Sequence, residues 1–248
     1  MYLSAATWQE IEARIKSGKK SIIIPIGSHE QHGPTGLIGT DAMCPQIILD
    51  EAQKQADILI GPNFGVGQAQ HHMAFAGSMT LRPSTMIATI VDWTNSLAHH
   101  GFTHIYWLNG HGGNCATINA AFCETYHQYS MKGESAPFKH LLMNWWELPG
   151  ITKFCMDLFP VGHGSHATAS EVALTYWRFK ERESLNQLKL EPKIAPSGSI
   201  RDALDYRKQF PDGRIGSDPT TATIELGGKI VEASVKALLE SFKEFEKA

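Results

Sequence analysis

The chain has 248 residues, 42% hydrophobic and 19% charged, with 22 Lys plus Arg set against 25 Asp plus Glu. A length of this order suits one globular domain with a sizeable core rather than two large ones, and the near-neutral charge leaves no basic stripe for phosphates, which excludes a general nucleic-acid binder. No apolar run approaches the roughly 20 residues that span a bilayer, and the opening stretch MYLSAATWQEIEARIK is amphipathic without an apolar signal region, so a cytoplasmic protein with no membrane contact is expected.

In chain order, Trp8, Ile11 and Ile15 stand at helical spacing before Gly18, and Ser21 to Ile26 (SIIIPI) is a continuous apolar run closed by Gly27. That predicts a helix and then a strand buried on both faces. Short runs of the same kind recur at Ile58 to Ile60, His104 to Leu108 and Lys139 to Trp145, and helical patterns fill Asp41 to Lys54, Ser84 to His100, Asn114 to Tyr129 and Ala169 to Arg182. Strands alternating with helices imply parallel pairing in a layered α/β domain. From Leu185 to Pro219, Pro and Gly punctuate a charged stretch, which is read as a surface excursion and a plausible subunit contact within one domain over residues 1–248. Thr220 to Lys247 carries Ile230, Val231, Val235, Leu238, Leu239 and Phe242 at helical spacing and should pack back on the sheet.

The four cysteines, Cys44, Cys115, Cys123 and Cys155, show neither CxxC nor zinc-knuckle spacing and read as small buried hydrophobes. The twelve histidines are the unusual feature of the composition. Gly27-Ser28-His29-Glu30-Gln31-His32-Gly33 follows the first strand directly, with Asp41 shortly after, and the carboxyl ends of strands are where α/β domains bind ligands. Glu30, His32 and Asp41 make a donor set suited to zinc, manganese or iron, although a solvated polar loop would read the same way. Asn109-Gly110-His111-Gly112-Gly113-Asn114 follows the His104 run and would bring His111 to the same edge; alone it could equally cradle a phosphate. Gly162-His163-Gly164-Ser165-His166-Ala167-Thr168-Ala169-Ser170-Glu171 opens a helix, where Glu171 taken singly is an acid favoured by the helix dipole.

Together these segments resemble the creatininase family, the creatinine amidohydrolases and their relatives, which has a G-S-x-E-Q-H-G run, an xTD run, an N-G-H-G-G-N turn and an H-A-x-x-x-E segment. GSHEQHG, GTD, NGHGGN and HATASE are present here in that order, and the later GSDPTTAT resembles the family's Gly-Asp-Pro segment. The resemblance implies a three-layer α/β/α domain with a mainly parallel central sheet, assembled as a homohexamer. It also implies two divalent metal ions per chain, zinc, manganese or iron. Glu30, Asp41 and His111 match the ligands of one, and His32, the bridging Asp41 and Glu171 those of the other. Three carboxylates and two imidazoles against two dications leave one net positive charge, which favours a bridging hydroxide as nucleophile. His166 matches the family's catalytic histidine and would carry the proton to the departing nitrogen, with Glu30 orienting the water. His72 and Ser78, on a loop that aligns near the family's site, and Trp145 and Trp146, at a strand end, are the candidates for substrate contact.

The implied function is hydrolysis of a cyclic amide or formamide C–N bond in a small molecule. Deformylation of a formamidopyrimidine, trimming of a modified peptide in cofactor biosynthesis, and metabolite binding without turnover are the alternatives. Creatininase proper has a carboxylate where this chain has Gly113, and a tryptophan and a glutamate where it has Gly162 and Ser165. A creatinine ring would therefore lose a stacking partner.

Overall fold

The computed structural model describes residues 1–248. Three parallel strands, β1 (Ser21–Ile26), β2 (His104–Asn109) and β3 (Lys139–Asn144), lie in the order β1-β2-β3 with Ser21 opposite His104 and His104 opposite Lys139. The helices are α1 (Trp8–Lys16), α2 (Thr40–Ala52), α3 (Pro83–His99), α4 (Cys115–Ser130), α5 (Ile151–Leu158), α6 (Ala169–Arg178), α7 (Ala203–Gln209) and α8 (Ile224–Phe245). Thr7 and Glu10 form a reciprocal cap that starts α1, and the Thr223 side chain caps the long α8.

Alternation along the strands divides the apolar side chains between two layers. Ile22, Ile24, Ile26, Ile105 and Trp107 face Met86, Ile90, Ile118 and Phe122 of α3 and α4. Ile23, Tyr106 and Leu108 face the other way, into a larger core with Ile47 and Ile48 of α2, Val172 and Leu174 of α6, and Ile230, Val235, Leu238 and Phe242 of α8. Helices thus cover both faces, the three-layer α/β arrangement expected. No helix is long and apolar enough to cross a membrane.

The run at Ile58 to Ile60, expected as a strand, pairs with β1 only through isolated bridges, Ile23 with Ile60 and Ile26 with Phe64. The reason lies in β1 itself. Ile23 both donates to Leu59 O and accepts from Gly61 N on that edge, so the nitrogen of Pro25, two residues on, faces the same edge without a proton to give. The ladder is broken there, with Pro62 next in the facing segment, and resumes only at Phe64, whose N donates to Pro25 O.

The Leu185 to Pro219 stretch leaves much of its chain exposed. Its inner side folds over the carboxyl edge of the sheet: Tyr206 and Phe210 of α7 and Ile215 form a small core with Phe75. The fully buried Arg214 holds the segment in shape, donating to Lys193 O, Ser217 O and Pro192 O and pairing with Asp212.

Candidate metal centre

Two strand ends and two helix starts converge on one cluster. After β1 the chain turns so that Glu30 N donates to Ile38 O, and α2 begins ten residues later with Asp41 in its first turn. Pro45 has no N–H to give to the Asp41 carbonyl. That carbonyl packs instead against the backbone at the ends of β1 and β2: a Cβ on Gly27 would sit 2.2 Å from it and one on Gly110 1.9 Å. The two motif glycines let α2 rest its first turn on the sheet edge and bring Asp41 beside both histidine-bearing turns. Asn109 and Asn114 stitch the second turn in place. Asn109 Nδ2 donates to His111 O (2.6 Å) and Asn144 Oδ1 (2.7 Å), and Asn114 Nδ2 donates to Gly27 O (2.9 Å).

At the start of α6, Ala167 is the one non-glycine residue with positive φ, +54°. Such a backbone costs roughly 1 kcal/mol or more and is kept where the surroundings demand it. Here it reverses the chain so that His166 and Glu171 reach the same cluster. Glu171 serves twice, accepting from Thr168 N (2.6 Å) in a reciprocal cap and approaching His32 Nε2 at 3.8 Å. The bland reading of this acid and the functional one describe the same side chain.

Glu30, Asp41 and His111 present ligand atoms within 4.8 Å of one another, as do His32, Asp41 and Glu171, with Asp41 common to both groups. Each imidazole has one nitrogen anchored away from the cluster. His32 Nδ1 donates to Glu30 O (3.0 Å) and leaves Nε2 2.9 Å from Asp41 Oδ1; His111 Nε2 donates to Gln68 O (3.1 Å) and leaves Nδ1 2.9 Å from Asp41 Oδ2. Anchoring of this kind fixes the tautomer and aims a lone pair. Both oxygens of Glu30, and Asp41 Oδ2, are buried without a hydrogen bond, although His72 Nε2 and His111 Nδ1 stand 3.0 and 2.9 Å from them. The groups are near without being aligned on each other, which is how side chains sit when they converge on a shared cation. The residues fit a metal site.

The electrostatics agree. Burial alone would raise the Asp41 carboxyl, but His32 and His111 outweigh it and hold it far below the usual carboxylate range. Burial would likewise lower both imidazoles, yet Asp41 and Glu171 lift His32 to about 10, and Glu30 and Asp41 lift His111 to about 9. Burial pushes Glu171 up to about 7 and raises Glu30. The cage carries surplus negative charge and pulls in positive charge, as a dication site does.

The cluster floors a cavity of about 430 Å³. His166 Nε2 donates to Gln31 O (2.7 Å), so its Nδ1 lone pair faces inward, 3.7 Å from Glu30 Oε1. His166 also forms a third group with Glu30 and His32. His72 lies on the wall, fully buried, with Gln31 Nε2 donating to its Nδ1 at 3.0 Å. Trp145 and Trp146 form an apolar side and Ile200, Tyr206 and Ile215 the cover. Ser78 is not in the lining; its hydroxyl accepts from Gln31 N at 3.1 Å, under the loop.

Sequence reasoning assigns no role to Gln31, His71 or Tyr206. Gln31 lies within the GSHEQHG motif, and its part shows only in three dimensions, where its amide donates to His72 and to Gly213 O (2.9 Å). His71 stood beside a chosen histidine. Nothing local marked Tyr206, whose hydroxyl donates to Gly213 O (2.7 Å) inside the supposed excursion.

The creatininase family model, described as creatinine amidohydrolase, matches residues 4–242. The chain belongs to the creatininase family. Creatinine amidohydrolase of Pseudomonas putida is 23% identical over 254 residues, covering 98% of this chain and 96% of that one. A solved mutant creatininase of Zn–Zn type shares the fold, with a TM-score of 0.82 at 21% identity over 98% of this chain and 97% of that chain. The mycofactocin precursor peptide peptidase of Mycobacterium tuberculosis H37Rv is 28% identical over 119 residues, 44% of this chain and 47% of its own length. Membership makes this creatininase-family protein a hydrolase acting on C–N bonds.

Proposed function

We propose that this creatininase-family enzyme is a two-metal amidohydrolase that cleaves a non-peptide C–N bond, a cyclic amide or a formamide, in a small molecule. The observation that carries this reading is the pair of ligand groups sharing Asp41, one with Glu30 and His111 and the other with His32 and Glu171. Divalent ions such as zinc, manganese or iron, when bound there, supply a polarised carbonyl and an acidified water.

The chain's own side chains do the rest. Glu30 lies at the centre of the cluster and orients the attacking water. His166, with Nε2 committed to Gln31 O, has only Nδ1 to work with; that atom takes a proton and returns it to the departing nitrogen. The Trp145 and Trp146 side and the Tyr206 cover keep bulk water from the reacting bond. The cavity suits a small molecule. Its walls offer carboxylates, imidazoles, hydroxyls and aromatic faces but no Lys or Arg, which favours an uncharged substrate. The peptidase relative supports a modified peptide as the second reading.

Elemental analysis of protein purified without chelator, with hydrolysis assays on creatinine, an N-formylated aminopyrimidine and a short peptide, tests the proposal. About two metals per chain and turnover of an uncharged amide are expected. Failure to take up metal on reconstitution overturns it.

A further inference from the structure

Four histidines on the cavity wall are committed within the chain. His72 accepts from Gln31, His111 donates to Gln68 O, His166 donates to Gln31 O and His163 Nε2 bonds the Ser170 hydroxyl at 2.9 Å. His71 also lines the cavity, and its ring makes no hydrogen bond to any part of the protein. It is nonetheless held in place. Residues Gln70–His72 form a 3-10 turn, with His72 N donating to Ala69 O and the His72 ring held by the Gln31 amide at 3.0 Å. The His71 ring lies 4.3 Å from that of His72, within 18° of the His111 plane at 6.0 Å, and within 14° of the Tyr206 plane at 6.1 Å.

An imidazole fixed in this way has paid much of the entropy of ordering before any ligand arrives, while its hydrogen-bonding capacity is still unspent. It stands between the ligand cluster and the Tyr206 cover. A substrate carbon held at the metals would place its remaining ring or chain against it. We infer that His71 binds the non-scissile polar group of the substrate, a carbonyl, hydroxyl or amino group of an uncharged amide, and so sets specificity. The inference rests on the hydrolase reading above. Neutral imidazole offers one donor and one acceptor, a match for such groups and a poor one for phosphate, and the lining contains no Lys or Arg to take a charged end.

The test uses metal-loaded protein and the three amides named above, with His71→Phe keeping shape without hydrogen bonding and His71→Asn keeping hydrogen bonding in a smaller side chain. On the amide that the unmodified enzyme turns over best, His71→Phe should raise KM about tenfold, the equivalent of one hydrogen bond of about 1.4 kcal/mol, with kcat within about threefold and metal content unchanged. His71→Asn should recover a substantial part of the lost KM, which a purely structural role would not give. An unchanged KM in His71→Phe, or a KM that His71→Asn does not improve over His71→Phe, removes the assignment. Loss of metal in both variants also overturns it, since His71 would then support the cluster. Metal-loaded unmodified protein that hydrolyses none of the three amides overturns the hydrolase reading instead, and the inference with it.

Discussion

The contact between Gly110 and the Asp41 carbonyl makes a quantitative claim. A methyl group on Gly110 would lie 1.9 Å from Asp41 O and 2.9 Å from both Asp41 C and Pro45 Cδ. An ordinary carbon–oxygen contact is about 3.3 Å, so in Gly110→Ala the first turn of α2 must withdraw by about 1.4 Å. Asp41 touches His32 and His111 at 2.9 Å each, and coordination distances tolerate only about 0.2 Å, so a withdrawal of that size removes the residue common to both ligand groups. Overpacking costs about 1–3 kcal/mol, partly offset by the lower chain entropy of alanine. Gly112→Ala, two residues along the same turn, is the control, because a Cβ there has nothing within 4 Å. Urea denaturation and elemental analysis on both variants should show Gly110→Ala destabilised by about 2 kcal/mol and depleted of metal, with Gly112→Ala matching the parent. Equal stability and full metal content in the two variants would refute the packing argument.

His166→Ala should lower kcat by about 10²–10³ and leave the metal content intact, since its Nδ1 is assigned to proton transfer; a missing metal would make it a ligand alongside Glu30 and His32. Arg214→Met strands three carbonyl acceptors under the cover and should cost about 3 kcal/mol by denaturation, with no change if the guanidinium is dispensable. His140, which stacks on Phe122 and accepts from Trp107 Nε1, is held down to about 3 by burial. Its folded value lies below the unfolded one of about 6.5, so the unfolded chain gains its proton first and stability falls as pH drops below about 6.5. Between pH 7 and 5 this site contributes a loss of at most about 2 kcal/mol. Urea midpoints for His140→Gln should change less over that interval than those of the parent, and parallel curves would count against the assignment.

What was legible in the sequence follows from distance along the chain. SIIIPI and HIYWL announce buried strands because nearly every residue in them is apolar, whereas KHLLMN, half of it polar, forms the partly exposed edge strand β3 where a buried one was expected; the Glu30, His111 and Glu171 motifs follow strand ends or open a helix, where local pattern fixes position. Asp41 is marked by its neighbours on both sides, whereas the carbonyl that Pro45 leaves free gains its meaning only from the sheet edge it packs against. Ile58 to Ile60 looked like a strand because composition does not show which edge the Pro25 nitrogen faces. Tyr206, Arg214 and the role of Gln31 were hidden for a different reason. The Gln31 amide meets Gly213 O across 182 residues, and a Pro/Gly-rich stretch looks the same whether it lies in water or over a cavity.

That separation bears on the order in which the protein is made. The five side chains proposed as ligands all lie by Glu171, whereas the cover, from Ile200 to Ile215, leaves the ribosome later, and α8, which completes the larger core, later still. For an interval the emerged chain carries these five side chains but not the segment that roofs them. A finished molecule must part Tyr206 and Gly213 from Gln31 to admit an ion from that side, while a nascent one needs no such step. Metal supplied during synthesis should therefore enter by a shorter route than metal offered to the completed apoprotein.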